Sequence, residues 1–362
     1  MITALLVIGI LVLLIVGHEL GHFIAAKIFK VRVEEFGVGY PPRAFTFGKF
    51  GGTEYTLNWL PFGGFVRLFG DEGDKQHGPG GFIDARRSVQ AVILVAGVLA
   101  NAILAWALFA GALAVGVPRV VAGTNAGEPA QLIVADVVPG SPADSAGIIV
   151  GDEIVALEYE NIKLKEFSPE AVLNFIKERG GKPLMLSYMR AGTTTEVILR
   201  PAHAVIAEEA GRPAVGVALV LVSSSPLGWR EAIRESSLRT LDAFKAVGNG
   251  LWAMLKKALV GEGSLSDVVG PVGLVGVVSE AATHGFGNVL ALAAFISVNL
   301  AVINLIPIPA LDGGRLLLLG VEAVMRRNVP RLVVQLLNLA GFVLIALLMF
   351  AVTYNDIARL LG

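Results

Sequence analysis

Residues 2–26 read ITALLVIGILVLLIVGHELGHFIAA, a helix-length apolar run that carries His18-Glu19-Leu20-Gly21-His22 inside it. HExxH on a helix is a zinc-hydrolase signature, and an i,i+4 spacing puts His18 and His22 on one helix face with Cβ atoms roughly 5–6 Å apart. Two imidazoles so placed can share one metal, and Glu19 beside them can take a proton from water held there. Ionisable groups within a membrane span are costly and are functional candidates by default. The run lacks a basic leader and a small-residue cleavage site, and cleavage would discard the motif, so it is expected to be a retained span.

The chain has 362 residues, of which 54% are hydrophobic and 16% charged. Its mean hydropathy is +0.70. Soluble domains carry about 25% charged residues, so this deficit points to a membrane protein. The formal net charge of −1 gives no reason to expect nucleic acid as a partner. With no cysteine, any metal must be held by His, Asp or Glu, and the histidines are only His18, His22, His77, His203 and His284.

Four segments have the length and apolarity of bilayer spans, which need about 20 residues each. They run from about Ile2 to Ala26, Val89 to Val117, Val289 to Leu319 and Leu332 to Val352. The third is interrupted by Pro307, Pro309 and Gly313-Gly314. The connection after the first span holds Lys27, Lys30, Arg32, Arg43, Lys49, Arg67, Arg86 and Arg87, and that after the third holds Arg326, Arg327 and Arg331. Excess Lys and Arg in short loops marks the cytoplasmic side, so both termini and the long middle region are expected outside.

Val31 to Phe69 reads as short strands punctuated by Gly37, Gly39, Pro41-Pro42, Gly51-Gly52 and Gly63-Gly64. Two readings stand open: a β element dipping into the membrane, whose free edge accepts an extended peptide, and a hairpin on the membrane surface. Along such an edge Gly63, Gly64 and Phe65 are candidate substrate contacts. Gln131 to Pro201 alternates strands, a glycine-rich turn at Pro139-Gly140-Ser141-Pro142-Ala143 and a helix from Pro169 to Arg179 with Ser168 as N-cap. That pattern, with Ala146-Gly147 and Gly151-Asp152-Glu153-Ile154, resembles a PDZ domain. The resemblance implies either capture of a peptide tail or a steric plug against untrimmed substrates. Trp229 to Leu259 reads as an amphipathic helix, expected on the outer membrane surface or against the PDZ-like domain.

HExxH needs a third ligand. His77, His203 and His284 sit in polar or peripheral contexts and are expected at the surface. Asp312, in Asn304-Leu-Ile-Pro307-Ile-Pro309-Ala-Leu311-Asp312-Gly313-Gly314, is an intramembrane carboxylate where prolines break the span. An unpaired Asp at such depth costs about 2.5–3.5 kcal/mol on insertion scales, which metal binding offsets. The alternative is an Asp that merely caps the helix at Gly313. Asn304 is read either as a contact to substrate backbone or as an interhelical hydrogen-bonding residue. At about 1.5 Å per residue, His18 lies roughly 20–25 Å from the outer end of the first span, level with Asp312 near the inner end of the third.

Together these motifs resemble the site-2 protease family, the bacterial regulated intramembrane zinc proteases. The likeness covers HELGH, the glycine-rich element ending in Gly63-Gly64-Phe65-Val66-Arg67-Leu68, Ala96-Gly97 and Asn101, the PDZ insertion, Gly270-Pro271-Val272-Gly273 and NLIPIPALDGG. It departs from members with tandem PDZ domains, since a single one is found, and at Val98, where proline is frequent. The resemblance implies a zinc metalloendopeptidase with Zn2+ on His18, His22 and Asp312, Glu19 as general base and Asn304 at the substrate. It implies single-span membrane protein substrates, such as anti-sigma factors or remnant signal peptides, already shortened by another protease. The expected fold is a polytopic α-helical membrane protein with four transmembrane helices, a membrane-associated β element and an inserted extracytoplasmic PDZ-like α+β domain. Its expected divisions are 1–30, 31–88, 89–118, 125–203, 204–287, 288–320 and 331–354. The expected location is the bacterial inner membrane, with the active site in the cytoplasmic half of the bilayer. The rival readings are a scaffold that binds peptide tails through its PDZ-like domain and a zinc transporter. Further intramembrane acids or histidines, which a transporter needs to line a path, are missing.

Overall fold

The computed structural model describes residues 2–71, 78–121, 123, 129–203, 211, 213–262, 268–327 and 329–361. His77 lies outside them. The chain forms two compact units, residues 1–115 with 227–362, and residues 116–226.

The first unit opens with helix α1 (Ile2–Ile28), strands β1 (Val33–Phe50) and β2 (Thr53–Leu68), and helix α2 (Arg87–Val115). Gly21 of HELGH faces α2, where an added Cβ would strike the Ala96 carbonyl and lie 2.7 Å from the Ala100 side chain. Small residues allow this close approach, and it sets the two histidines against α2. The expected short strands are runs within two long strands. Residues 33–38 pair with 64–68 on one edge and with 54–57 on the other, while 43–50 pairs back on 53–58. Glycines and prolines bend the ribbon here instead of ending it. Phe45, Phe47, Phe50 and Trp59 are all exposed on it.

The second unit contains β3 (Arg119–Val121), β4 (Gln131–Val137), α3 (Pro142–Ser145), β5 (Glu153–Tyr159), β6 (Ile162–Lys163), α4 (Pro169–Glu178), β7 (Leu184–Arg190), β8 (Thr193–Leu199) and β9 (Val217–Ser223). The sheet order is β3-β9-β4-β5-β7-β8, with β6 on β5. As the sequence predicts, Ser168 caps α4, its hydroxyl accepting the Ala171 N–H at 3.2 Å. Leu132, Val134, Leu157, Phe175, Leu184 and Leu199 form the core. Asp152 is buried beneath the sheet end, accepting from Arg190 at 2.7 Å through both oxygens and from the Ile149 N–H at 2.9 Å. The Arg190 hydrogen bonds hold its carboxyl below the usual carboxylate range. The expected boundaries 125–203 are too narrow. β3 and β9 lie outside them, and β9 supplies the strand that covers β4.

The first unit resumes with α5 (Trp229–Val260), α6 (Pro271–Thr283), α7 (Phe286–Leu305), α8 (Asp312–Met325) and α9 (Arg331–Leu361). Helices α1, α2, α7 and α9 are long and apolar enough to cross a membrane. The third expected span is thus two helices, α7 and α8, divided at 306–311.

The expectation for α5 requires correction. Its buried stripe is Ala232, Ser236, Thr240, Ala243 and Val247, and it packs with Ala105 and Phe109 of α2 and Ala294 and Val298 of α7. Trp106 donates to the Ser237 hydroxyl at 3.1 Å. The large residues that suggested a surface-lying face, Trp229, Leu241 and Trp252, point outward instead. Small side chains won the interface because they let helix backbones approach. At 1.5 Å per residue the stripe from Ala232 to Val247 runs about 23 Å.

The motif Gly270-Pro271-Val272-Gly273 starts α6. Buried Asp356 of α9 accepts the N–H of Gly270 at 3.2 Å and of Gly273 at 2.8 Å. A Cβ at Gly270 would lie 2.5 Å from that carboxylate. The donors freed at a helix N-terminus are thereby met, and a negative charge sits at the positive end of α6.

Candidate metal centre

The site is built by α1, α2 and the break between α7 and α8. His18 Nε2 and His22 Nε2 lie 3.1 Å apart. Asp312 Oδ2 lies 3.1 Å from the first and 3.3 Å from the second. Side chains of His18, His22 and Asp312 are 12%, 11% and 14% exposed. They are the group among the described residues whose donor atoms converge closely enough to hold one ion.

Second partners fix which nitrogen is free. His22 Nδ1 donates to the Ile93 carbonyl at 2.8 Å, since a carbonyl can only accept. Its Nε2 therefore presents a lone pair. His18 Nδ1 lies 3.3 Å from the side-chain amide of Asn101, which is fully buried. With the amide nitrogen toward His18, Asn101 Oδ1 has no hydrogen-bond donor. Turning the amide over places that oxygen on the His18 Nδ1–H and leaves His18 Nε2 free as well. Ser297 of α7 donates to the Asn101 carbonyl at 2.8 Å, tying this support to a third helix. Gly97 lies one turn before Asn101. An added Cβ there would run into the His22 ring and reach 2.7 Å from His18.

Asp312 reaches the histidines because the chain unwinds before it. Ile306 is extended and Ala310 takes a left-handed conformation with φ of 76°. Asp312 is the first residue of α8, and Leu311 makes no side-chain cap. The carboxylate is in the first turn of α8, and its Oδ2 is aimed at His18 and His22. Gly313 and Gly314 are required by packing. A Cβ on either would collide with carbonyls of Leu305, Ile306 or Ile308. Gly341 of α9 meets the Pro309 carbonyl in the same way, a contact with no signal in the sequence.

The donor set fits a tetrahedral cation. Ligands at the usual 2.0–2.1 Å from zinc are separated by about 3.3 Å, close to the three distances found. Asp312 Oδ2 is buried and lacks a hydrogen-bond donor, as expected for an oxygen whose partner is a metal.

A cavity of about 370 Å³ opens on these groups. Glu19, Gly63, Gly64, Phe65 and Asn304 line it, so it gathers every residue proposed from sequence. Gly64 packs on Glu19, where a Cβ would come within 3.2 Å of the Glu19 Cγ. Tyr40 and Arg315 also line the cavity and had no motif to betray them. Arg315 is ion-paired with Asp71, which holds the segment after β2 against α8. His203 and His284 are exposed; His203 faces the Gly211 carbonyl and His284 the Glu280 carbonyl.

The pattern that defines peptidase family M50 matches residues 5–348. A relative from Clostridium perfringens, whose name assigns it provisionally to the zinc metalloproteases, is 35% identical over 350 residues, covering 95% of each chain. The zinc metalloprotease RasP of Geobacillus kaustophilus is 27% identical, covering 96% of this chain and 95% of its own. The PDZ domain of the SdrC-like protein from Listeria monocytogenes aligns at 18% identity over 27% of this chain and 93% of that one. Its TM-score of 0.21 is too low to bear on the fold. With its ligand geometry, broken span and near full-length similarity, this chain belongs to peptidase family M50.

Proposed function

We propose that the chain is an intramembrane zinc metalloprotease of the site-2 type in which His18, His22 and Asp312 hold the metal and Glu19 is the general base. The observation that carries this reading is the convergence of three donor atoms at 3.1–3.3 Å, next to Glu19, two of them on α1, which is apolar enough to span a membrane, and the third at the start of α8, just past the spanning-length α7. When bound there, zinc supplies Lewis acidity that acidifies water and polarises a carbonyl. Glu19 takes the proton of the attacking water and returns it to the leaving amine. Asn101 and the Ile93 carbonyl hold the two imidazoles in the tautomer that the metal needs. An extended substrate segment lies along Gly63, Gly64 and Phe65, with Asn304 contacting its backbone. A helical substrate must unwind first, because its carbonyls are engaged in i→i−4 bonds, so helix-breaking residues favour cleavage.

The substrates of this proposal are single-span membrane proteins already trimmed by another enzyme. Residues 116–226 act as a PDZ-like domain that meets peptide tails outside the cytoplasmic membrane, and the site lies in its cytoplasmic half. The distribution of Lys and Arg supports this orientation. Because the chain has no cysteine, single Lys49→Cys and Thr283→Cys proteins can be labelled from either side. Lys49→Cys is expected to react from the cytoplasm and Thr283→Cys from outside; the reverse pattern overturns the orientation.

The chemical claim is tested with purified Glu19→Gln protein and a synthetic single-span substrate. Turnover should fall by at least about 100-fold while zinc content is unchanged. Wild-type turnover sinks the assignment of Glu19. Wild-type protein that binds tails but holds no zinc favours the scaffold reading.

A further inference from the structure

A second cavity, of about 690 Å³, lies where the end of α1 meets the β1–β2 ribbon. Its acids are Glu34 and Glu54, and both are already paired. Glu34 accepts Arg67 at 3.3 Å and Glu54 accepts Arg43 at 3.1 Å. Four further cations line the cavity: Lys27, Lys30, Arg32 and Lys49. Lys27 donates to the Gly51 carbonyl at 2.9 Å, and the Arg32 guanidinium stacks 3.4 Å over the Phe69 ring. Neither contact cancels a charge. Lys30 and Lys49 have no carboxylate partner among the described residues. Lys30 also sits in the left-handed region, with φ of 59°, at the helix end where glycine is the usual choice. A lysine kept in that conformation is consistent with a use for its charge.

Like charges around one concavity repel, so the arrangement calls for an anion. Its source follows from position. The cavity begins at the last turn of the apolar stretch Thr3–Ile28, which puts it at the boundary between hydrocarbon and water. Ile28 follows the lining residue Lys27, Phe50 lies between the lining residues Lys49 and Gly51, and both are exposed, as is Ile24 one turn back along α1. Cations lining the cavity, with exposed apolar side chains next to them along the chain, match an anionic headgroup and its acyl chains. We propose that this cavity seats the phosphate of an anionic phospholipid. A lipid held there bridges α1 and the ribbon, the two elements that carry Glu19 and Gly63-Gly64. The site is independent of catalysis and stands or falls separately from the protease reading.

The test is retention of phosphatidylglycerol against phosphatidylcholine by the full-length protein, read by native mass spectrometry from an equal lipid mixture. Wild type should prefer phosphatidylglycerol by about tenfold or more. The Lys30→Gln/Lys49→Gln protein should lose most of that preference with its zinc content unchanged. The Lys30→Arg/Lys49→Arg protein, which keeps the charge, should retain it. The Lys256→Gln/Lys257→Gln protein removes the same charge at the end of α5 and should retain it too. Equal retention of both lipids by wild type overturns the proposal, as does equal loss in the two glutamine pairs. If excess inorganic phosphate displaces phosphatidylglycerol completely, the occupant is a soluble phosphate and the lipid is the wrong source. Loss of zinc together with lipid in Lys30→Gln/Lys49→Gln shifts judgement to the arginine pair, whose failure to prefer phosphatidylglycerol overturns the site.

Discussion

Asp312, half-buried with its Oδ2 sealed from solvent, and Asp356, buried, are two carboxylates packed between helices, and their surroundings are opposite. Asp356 is saturated by neighbouring backbone, with both oxygens accepting N–H groups from the start of α6. Asp312 has an oxygen with no hydrogen-bond donor and two imidazole nitrogens turned toward it. A buried polar group is normally paired, and one left open in a native site needs a reason. The satisfied aspartate ties α9 to the start of α6, whereas the open one faces the two imidazoles of α1. Burial and rarity alone do not separate them, because both positions are costly for a charge.

The sharpest way to break this contrast is Asp312→Ala. Zinc affinity should fall by more than the 10–100-fold that loss of an outer-shell partner costs, and proteolysis should vanish with it. Tight zinc retention, measured by metal analysis after dialysis against a chelator, means that the third ligand lies elsewhere. Next in size is Asn101→Ala, which removes the group that orients His18 without touching the metal. Zinc affinity or turnover should drop about 10–100-fold, and Asn101→Asp should recover part of it. Unchanged affinity and turnover in Asn101→Ala would falsify the positioning role. Asp356→Ala should leave zinc at the wild-type level yet lower the melting temperature of the detergent-solubilised protein. Zinc loss without a thermal effect would reverse the roles assigned to the two aspartates.

The smallest effect concerns a third buried aspartate, Asp152, on the other compact unit. Its folded-state carboxyl titrates below the unfolded value because of Arg190. Its contribution to stability is therefore present above the unfolded range, about pH 4, and is lost as pH falls through the lower folded value. Hydrogen exchange across residues 116–226 in the full chain should accelerate over that acid window. In Asp152→Asn the unit should be weaker at neutral pH and lose part of this dependence. An identical acid profile in both proteins rules Asp152 out as the source.

Much of the candidate site was legible because its chemistry is local. HExxH on a helix fixes two imidazoles and a carboxylate within five residues, and prolines mark the break before Asp312. Asn101 could be noticed as a polar residue in a span, but its role depends on Gly21 and Ala96 bringing α1 and α2 together. Tyr40 and Arg315 were invisible, since each reaches the cavity through a contact far away in sequence. For α5, counting large apolar residues misled. The interface uses the small ones, whose value is backbone proximity and not transferable hydrophobic area. At the edge of residues 116–226, β9 lay beyond the helix-strand pattern and found its partners only through β4 and β3.

By itself, then, the sequence determined the apolar helices of spanning length, the break in the third and the candidate donor residues, because hydropathy, proline geometry and helical spacing act over a few residues. Only the tertiary structure decided which oxygen of which aspartate is left open, which nitrogen each histidine offers and what supports them. Those properties belong to distances of about 3 Å between atoms on different helices, and no spacing along one helix encodes them.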